Sequence, residues 1–276
     1  DFTGSVFRRF TDGSSTIPQF LEAPVKNMED FNKLRWRLQP DSPGRCENPV
    51  FDAMYAYAKL RGMPVAAMVC GLFGFHRHLI GVESLMTAYY DSPELIHAIA
   101  RQWVKLTKGA VRRLRKRYGA MAVFFWEDMC FRSGPLISPN TFRKFMTPYY
   151  KTVIDDAKEQ GIEFFMVDTD GDCNLVIPLF MEVGVNGMFP FEVQSGMDII
   201  KVREQYPRLA IWGGLDKRVL ALTKEDIERE VFGKVPKMLA SGGYMPAIDH
   251  GVPPDVPLEN FKYFMKLLKS REITRH

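Results

Sequence analysis

The sequence has 276 residues, of which 46% are hydrophobic, so it can bury a substantial core. Its 37 Lys and Arg residues nearly balance its 33 Asp and Glu residues, which gives a formal net charge of +4. This balance argues against nucleic acid or an anionic membrane as the main partner. The four cysteines are widely spaced and form no Cys-x-x-Cys pair, which fits a reducing compartment, so we expect a cytoplasmic protein.

The opening of the chain predicts two short regions before any regular pattern begins. Residues 1–26 predict a β-ribbon, because two extended segments flank Thr11-Asp12-Gly13-Ser14 and Asp-Gly favours a hairpin turn. Residues 27–62 predict a lead-in of helix and loop that is interrupted by Pro40 and Pro43.

From residue 63 to 276 the sequence alternates between apolar runs and amphipathic helical patterns. Six runs are predicted strands: Pro64–Cys70, Met121–Trp126, Glu163–Val167, Gly187–Pro190, Leu209–Trp212 and Gly243–Ile248. The Gly-rich aromatic segment after the first strand, Gly71–His78, is predicted to be a loop that leads into a helix. Ser138-Pro139 and Thr223 to Asp226 are predicted helix starts.

Strands that alternate with helices form a parallel sheet, so this region predicts an α/β fold. A dinucleotide-binding sheet would show a glycine fingerprint after its first strand, and this chain has none. We therefore predict a (β/α)8 TIM barrel. Because a closed barrel needs eight strands, the first two are expected upstream of Asp1, and residues 1–276 are expected to form a single barrel domain.

Acidic residues and one histidine follow the predicted strands. In a barrel all strands deliver their carboxyl ends to one rim, so these side chains are predicted to converge. They are Glu127, Asp168, Asp170, Glu192, Asp216 and His250. Carboxylate and imidazole groups are competent zinc ligands, so Asp168, Asp170 and His250, with Glu192, are the candidate metal ligands. The alternative for Asp168-Thr-Asp170-Gly is a plain turn.

Glu127, Asp168 and His250 are the candidate catalytic residues. Glu127 follows the run Val-Phe-Phe-Trp, and a carboxylate that emerges from such a run is partly desolvated, which raises its pKa and suits a general acid. The alternative is a structural ion pair between Glu127 and an arginine such as Arg132.

Aromatic and charged residues near the same rim are the candidate substrate contacts. They are Phe73, Phe75, Trp126, Phe189, Asp216, Lys217 and Arg218. Alternate aromatic residues of a strand point into the core, so only part of the aromatic set is expected to line a pocket. The two cations are suited to an anionic substrate group, and the alternative is that they begin a helix facing solvent.

Four segments give the chain a family resemblance: GPLISPNTFRKFMTPYYK, the run from MVDTDG to FPFEV, GGLDKR, and DHGVPPDVPLENF. From Pro64 to Leu268 the chain resembles the uroporphyrinogen decarboxylase superfamily, whose fold is a (β/α)8 barrel. The resemblance implies that the six predicted strands are the third to the eighth of that barrel.

The superfamily contains metal-independent decarboxylases and cobalamin-linked methyltransferases. Thiol-methylating members of the second branch bind zinc through a His-x-Cys pair after one strand and a Cys after the last. On this chain the pair falls on Asp168-x-Asp170 and the last ligand on His250. The resemblance therefore implies a corrinoid-dependent methyltransferase that demethylates a small methoxylated compound, aromatic ones included. It also implies a divalent metal, with zinc the first candidate, and a partner protein that carries the corrinoid.

Two other functions remain open from the sequence. The first is a decarboxylase that acts without metal on a porphyrinogen-like acid, with Lys217 and Arg218 pairing its carboxylates. The second is a barrel without catalytic activity that binds a corrinoid or an aromatic ligand. The row of acids after the strands argues against the second, because buried carboxylates without partners are costly.

Overall fold

The computed structural model describes residues 4–8, 19–270 and 273. The chain divides into two compact units. The first unit consists of the described residues of Asp1–Glu127 and Ile137–Phe165, and the second of those of Asp128–Leu136 and Met166–His276. Within the described ranges no helix has both the length and the apolar composition needed to cross a membrane.

The first unit begins with an antiparallel ribbon. Strand β1 (Val6–Arg8) pairs with β2 (Gln19–Glu22), and Phe7 contacts Phe20 edge to face with ring centroids 5.1 Å apart. The predicted turn at 11–14 lies outside the described residues. Aromatic cross-strand pairs of this kind stabilise short ribbons.

Two helices follow the ribbon, and each begins at an asparagine. The Asn27 side chain accepts a hydrogen bond from the first turn of α1 (Met28–Leu34), and the Asn48 side chain does the same for α2 (Pro49–Leu60). Asparagine is a favoured N-cap because its side-chain oxygen binds an N–H group that the helix itself leaves without a partner.

The first unit also contains two strands of parallel sheet. Strand β3 (Ala66–Cys70) pairs in parallel with β4 (Ala122–Trp126) over their full length. Five helices complete the unit: α3 (Leu72–Ile80), α4 (Val82–Asp91), α5 (Pro93–Tyr118), α6 (Pro139–Phe145) and α7 (Thr147–Glu159). Helix α5 buries an apolar face that includes Ile96, Ile99 and Trp103.

One segment of the first unit differs from the prediction. Residues Gly71–His78 were expected to be a loop, but nearly all of them belong to α3. The helix has no side-chain cap from its own first turn. Its first N–H groups instead donate to a carboxylate that is distant in sequence, that of Glu127.

The second unit contains four strands of parallel sheet and a short hairpin. The hairpin is β5 (Cys130–Phe131) and β6 (Gly134–Pro135), and the sheet strands are β7 (Phe164–Thr169), β8 (Gly187–Pro190), β9 (Ala210–Trp212) and β10 (Tyr244–Met245). Helices α8 (Ile177–Glu182), α9 (Ile199–Gln205), α10 (Lys224–Ala240) and α11 (Leu258–Leu268) accompany them.

The strand order in the second unit is β7-β8-β9-β10, and the pairings are parallel. Neighbouring strands therefore follow chain order, as in a barrel, whereas a doubly wound sheet reverses direction at a switch point. The predicted alternation of parallel strands and helices is confirmed. The last strand is shorter than predicted, because beyond Met245 only Ile248 forms an isolated parallel bridge, to Leu215.

Both predicted helix starts are confirmed. Ser138 accepts from the backbone N–H of Thr141 at the start of α6. Thr223 and Asp226 form a reciprocal capping box at the start of α10, with Asp in place of the usual Glu.

Gly171 lies where no other residue fits, because its φ is +78° and a Cβ atom there would be 2.5 Å from the Phe131 carbonyl oxygen. We expect Gly171→Ala to lower the free energy of unfolding by about 2–3 kcal/mol, from backbone strain plus the forced displacement of the hairpin. Gly196→Ala is the matched control, since Gly196 has a φ of +87° with no atom within 4 Å. Urea denaturation measures both, and equal losses would contradict the clash.

Candidate functional site

The second unit brings together two of the predicted site residues at the carboxyl ends of its strands. Asp170 follows β7 and His250 follows β10, and the His250 Nε2 atom lies 3.4 Å from the Asp170 Oδ2 atom. Both side chains are partly exposed, His250 at 51% and Asp170 at 33%. A solute can therefore reach this pair.

Negative charge at this site is only partly compensated. Burial, together with the nearby carboxylates of Asp170 and Asp128, raises the pKa of Asp168 to about 7. Burial is also the main reason that the pKa of Asp170 rises to about 6, a rise that His250 and Lys217 oppose. Raised pKa values show that these carboxylates lack sufficient positive partners, so the site favours a bound proton or a cation.

Asp128 is a member of this acidic cluster that the sequence reasoning missed. It adopts a positive φ of 46°, and its backbone N–H donates to the Asp168 carbonyl oxygen at 3.2 Å. The only signal in the sequence was its position directly after Glu127, at the end of a predicted strand.

The residues present match a divalent cation in donor chemistry but do not form a ready-made cage. The Asp170 Oδ1 atom is buried and has no hydrogen-bond partner within the described ranges, so one carboxylate oxygen is available to a ligand. Carboxylate oxygen together with imidazole nitrogen suits zinc. In the part of the chain that the structure describes, however, no three His, Cys, Asp or Glu side chains are already grouped for metal binding.

Glu192 and Lys217, predicted as a metal ligand and a substrate contact, bind each other. The Lys217 Nζ atom lies 3.1 Å from the Glu192 Oε1 atom, and the Glu192 Oε2 atom accepts from the Gly171 backbone N–H at 3.0 Å. Both side chains are largely buried, at 13% and 20% exposure. This ion pair leaves Glu192 a poorer metal ligand than Asp168 or Asp170.

Asp216 and Arg218, both predicted to contact substrate, also form an internal pair. The Arg218 Nε and Nη2 atoms donate to the two Asp216 carboxylate oxygens, at 2.8 and 2.6 Å. The Asp216 side chain also caps the short 3-10 helix at Lys217–Ala221 through the Arg218 backbone N–H. A bidentate pair of this kind occupies both groups.

Asp249 is a buried acid that connects the loops after three neighbouring strands. It follows β10, and its carboxylate accepts from the backbone N–H of Val193, after β8, at 2.8 Å and of Lys217, after β9, at 3.1 Å. The side chain is fully buried, and burial raises its pKa. Asp249 thus fixes the loops around His250, a role that its place beside His250 hinted at but did not define.

We expect Asp249→Asn to lower the free energy of unfolding by about 1–3 kcal/mol, because an amide NH₂ group at a buried position would face one of the two partly buried N–H donors. Asp198→Asn is the control, since Asp198 caps α9 in a less buried setting and Asn caps helices as well as Asp does. Urea denaturation of both variants tests this, and a loss in Asp198→Asn as large as in Asp249→Asn would contradict it.

Glu127 lies in the first unit and is fully buried. Its carboxylate accepts from the backbone N–H groups of Leu72 at 3.0 Å and Gly74 at 2.9 Å, and from the Tyr150 hydroxyl. Burial is the main reason that its pKa rises to about 7. Glu127 is therefore the distant cap of α3. The raised pKa agrees with the prediction, but the partners give the side chain a structural role and no exposed surface.

The predicted aromatic contacts occupy three different environments. Phe73 is fully buried in the core of the first unit. Phe75 and Trp126 border an apolar cavity of about 860 Å³ in that unit, between β3, α5 and the lead-in helices. Phe189 lies in the second unit and packs against Trp212, with ring centroids 4.7 Å apart. Only Phe189 belongs to the unit that contains the acidic cluster.

The chain is similar in sequence to several known proteins. The uroporphyrinogen decarboxylase of Chlorobium limicola is 27% identical over 192 residues, which cover 68% of this chain and 52% of that protein. The chain thus spans about half the length of this relative. The uroporphyrinogen decarboxylase of Vesicomyosocius okutanii is 24% identical over 260 residues, 89% of this chain and 69% of that protein.

A methyltransferase from Methanosarcina mazei has a similar fold, with a TM-score of 0.65 at 16% identity, covering 96% of this chain and 74% of that one. The sequence model of the uroporphyrinogen decarboxylase (URO-D) family matches residues 9–271. Family membership and fold similarity together confirm the predicted barrel class. The chain belongs to the uroporphyrinogen decarboxylase family.

Proposed function

We propose that the protein is a methyltransferase that removes the methyl group of a small methoxylated compound and passes it to a corrinoid on a partner protein. One observation carries this proposal. The carboxylates of Asp168 and Asp170 have too little positive charge around them to offset their own negative charge, and His250 lies beside Asp170. Such a cluster attracts a cation and repels an anionic substrate. The methyltransferase fold of the Methanosarcina mazei protein is compatible with this chemistry.

The same cluster disfavours decarboxylation of a porphyrinogen-like acid, which the names of the sequence relatives would favour. A substrate with several carboxylates needs cations that are not already engaged. Lys217 is paired with Glu192, and Arg218 is paired with Asp216. Binding such a substrate through Lys217 and Arg218 would require breaking both pairs and placing carboxylates near Asp168.

Asp168, Asp170 and His250 would hold a divalent cation, with zinc the first candidate. Such an ion would supply Lewis acidity at the ether oxygen of the methyl donor. A bound cation would hold Asp168 in its ionised form, because a ligating carboxylate must be deprotonated, and it would offset the burial and the neighbouring carboxylates that raise the pKa of Asp168 in the metal-free protein. The Glu192–Lys217 pair holds Gly171 and so orients the loop that presents Asp170.

Metal analysis and a transfer assay test this proposal together. Purified protein is expected to bind about one zinc ion per chain, and Asp168→Ala and His250→Ala are each expected to weaken binding by at least about 100-fold. Asp172→Ala is the matched control, because Asp172 is a partly exposed acid on the same loop, where its carboxylate accepts a hydrogen bond from the Asn174 side chain. Transfer is followed as methylcobalamin formed from cob(I)alamin and methoxybenzene.

Three outcomes would overturn the proposal in different ways. Full methyl transfer by metal-free protein would show that the reaction needs no metal. Release of CO₂ from uroporphyrinogen without any methyl transfer would favour the decarboxylase. Tight binding of corrinoid with neither reaction would favour a binding protein without catalytic activity.

A further inference from the structure

Four side chains form one row across the sheet of the second unit. Asp168 of β7 is the register partner of Phe189 of β8, and Trp212 of β9 is the register partner of Met245 of β10. Phe189 and Trp212 join these two pairs into one row, since their rings lie 4.7 Å apart at an interplanar angle of 43°. Register partners point to the same face of a sheet, so a carboxylate, two aromatic rings and a thioether lie side by side.

The row lies on the more accessible face of these strands. Val167, Met188 and Ile211 directly precede Asp168, Phe189 and Trp212, so their side chains point to the opposite face of the sheet. All three are buried, with 1% exposure or less. Phe189 and Trp212 are partly exposed, and Met245 is 53% exposed. Apolar groups therefore stay within reach of a ligand directly beside Asp168.

The residues in the next row toward the amino ends of β8 and β9 have small side chains. Gly187 of β8 is the register partner of Ala210 of β9, so two small residues precede Phe189 and Trp212 on the same face. Met166 packs over Gly187, where a Cβ atom would lie 3.0 Å from the Met166 Cγ atom. The Met166 side chain thus fills the space in front of Gly187 and forms an apolar floor on the amino-terminal side of Phe189 and Trp212.

We propose that Phe189, Trp212 and Met245 form a platform that selects methyl donors with a planar aromatic ring and turns the methoxyl group toward Asp168. This inference rests on the function proposed above and adds the substrate class and two further specificity residues, Trp212 and Met245. Aromatic rings stack or pack edge to face with one another, and thioether sulfur contacts ring edges favourably. A saturated ring of the same size lacks both interactions.

Binding of methoxybenzene and methoxycyclohexane to the purified protein, without corrinoid, tests the platform. The wild-type chain is expected to bind methoxybenzene about 3- to 10-fold more tightly than methoxycyclohexane. Trp212→Leu and Met245→Ala are expected to reduce this ratio to below about 2-fold, and Trp212→Phe is expected to keep most of it. Trp36→Leu is the matched control, because Trp36 is 72% exposed and lies in the first unit.

Circular dichroism confirms that each variant is folded, and Met245→Ala keeps the test informative if Trp212→Leu unfolds, since Met245 is largely exposed. Equal affinity for the two ethers in the wild type, a ratio unchanged in Trp212→Leu and Met245→Ala, or binding of neither ether would overturn the platform. A preference for methoxybenzene without methyl transfer would instead leave the platform standing and overturn the proposed function.

Discussion

Changing Glu127 to alanine is expected to lower the free energy of unfolding by about 3–5 kcal/mol. The substitution leaves the backbone N–H groups of Leu72 and Gly74 and the Tyr150 hydroxyl without their acceptor, all at buried positions. Each unsatisfied buried donor costs about 1–3 kcal/mol. Urea denaturation monitored by circular dichroism measures the loss, and a loss below 1 kcal/mol would contradict the capping role.

Glu127→Gln is the control that separates the hydrogen bonds from the charge. The pKa of Glu127 is about 7 in the folded protein against an ordinary value of 4.5, so the native state holds a proton that the unfolded state releases. Stability from this group is therefore fully present below about pH 4.5 and is lost as the pH rises through about 7. The stability advantage of wild type over Glu127→Gln should shrink from pH 5 to pH 8, and parallel curves would refute it.

Asp168→Asn is expected to reduce methyl transfer by at least about 100-fold and to raise the free energy of unfolding of the metal-free protein at pH 8. Both effects have one cause. A carboxylate whose pKa is raised to about 7 is destabilising when charged and unpaired, and an amide of the same shape removes that charge together with the proposed metal ligand. The transfer rate of the zinc-loaded protein and the urea midpoint of the metal-free protein test the two signs.

Asp156→Asn provides a control of opposite sign. Asp156 is a buried acid in the first unit that is paired with Lys108 and Arg112, which lower its pKa despite its burial. Removing its charge is expected to lower stability and to leave methyl transfer unchanged. Asp168→Asn would fail as a test of function if it lost stability as Asp156→Asn does, because its loss of activity would then follow from unfolding.

The sequence was a good guide wherever the signal is local. The apolar runs indicated the strands, and Ser138 and Thr223 marked helix starts, because a cap lies within three residues of the N–H group that it binds. The start of α3 could not be predicted in this way. Its cap, Glu127, comes from a position more than fifty residues later in the chain.

The candidate site shows the same limit. Strand ends correctly predicted that Asp170 and His250 lie together, because parallel strands deliver their carboxyl ends to one edge. The partners of Lys217 and Arg218 were not predictable, since both residues looked equally suited to an anionic substrate. Ion pairing with Glu192 and with Asp216 depends on loop conformations that no periodicity encodes.

The distant cap of α3 also has a consequence for the order in which the chain folds. A helix of nine residues is marginal by itself in water, and α3 has no cap within its own sequence. The carboxylate that completes it stands at the end of β4, which must first pair with β3. During synthesis, α3 therefore cannot be completed until Glu127 has left the ribosome. We expect this helix to form after β3 and β4 have paired, and not before.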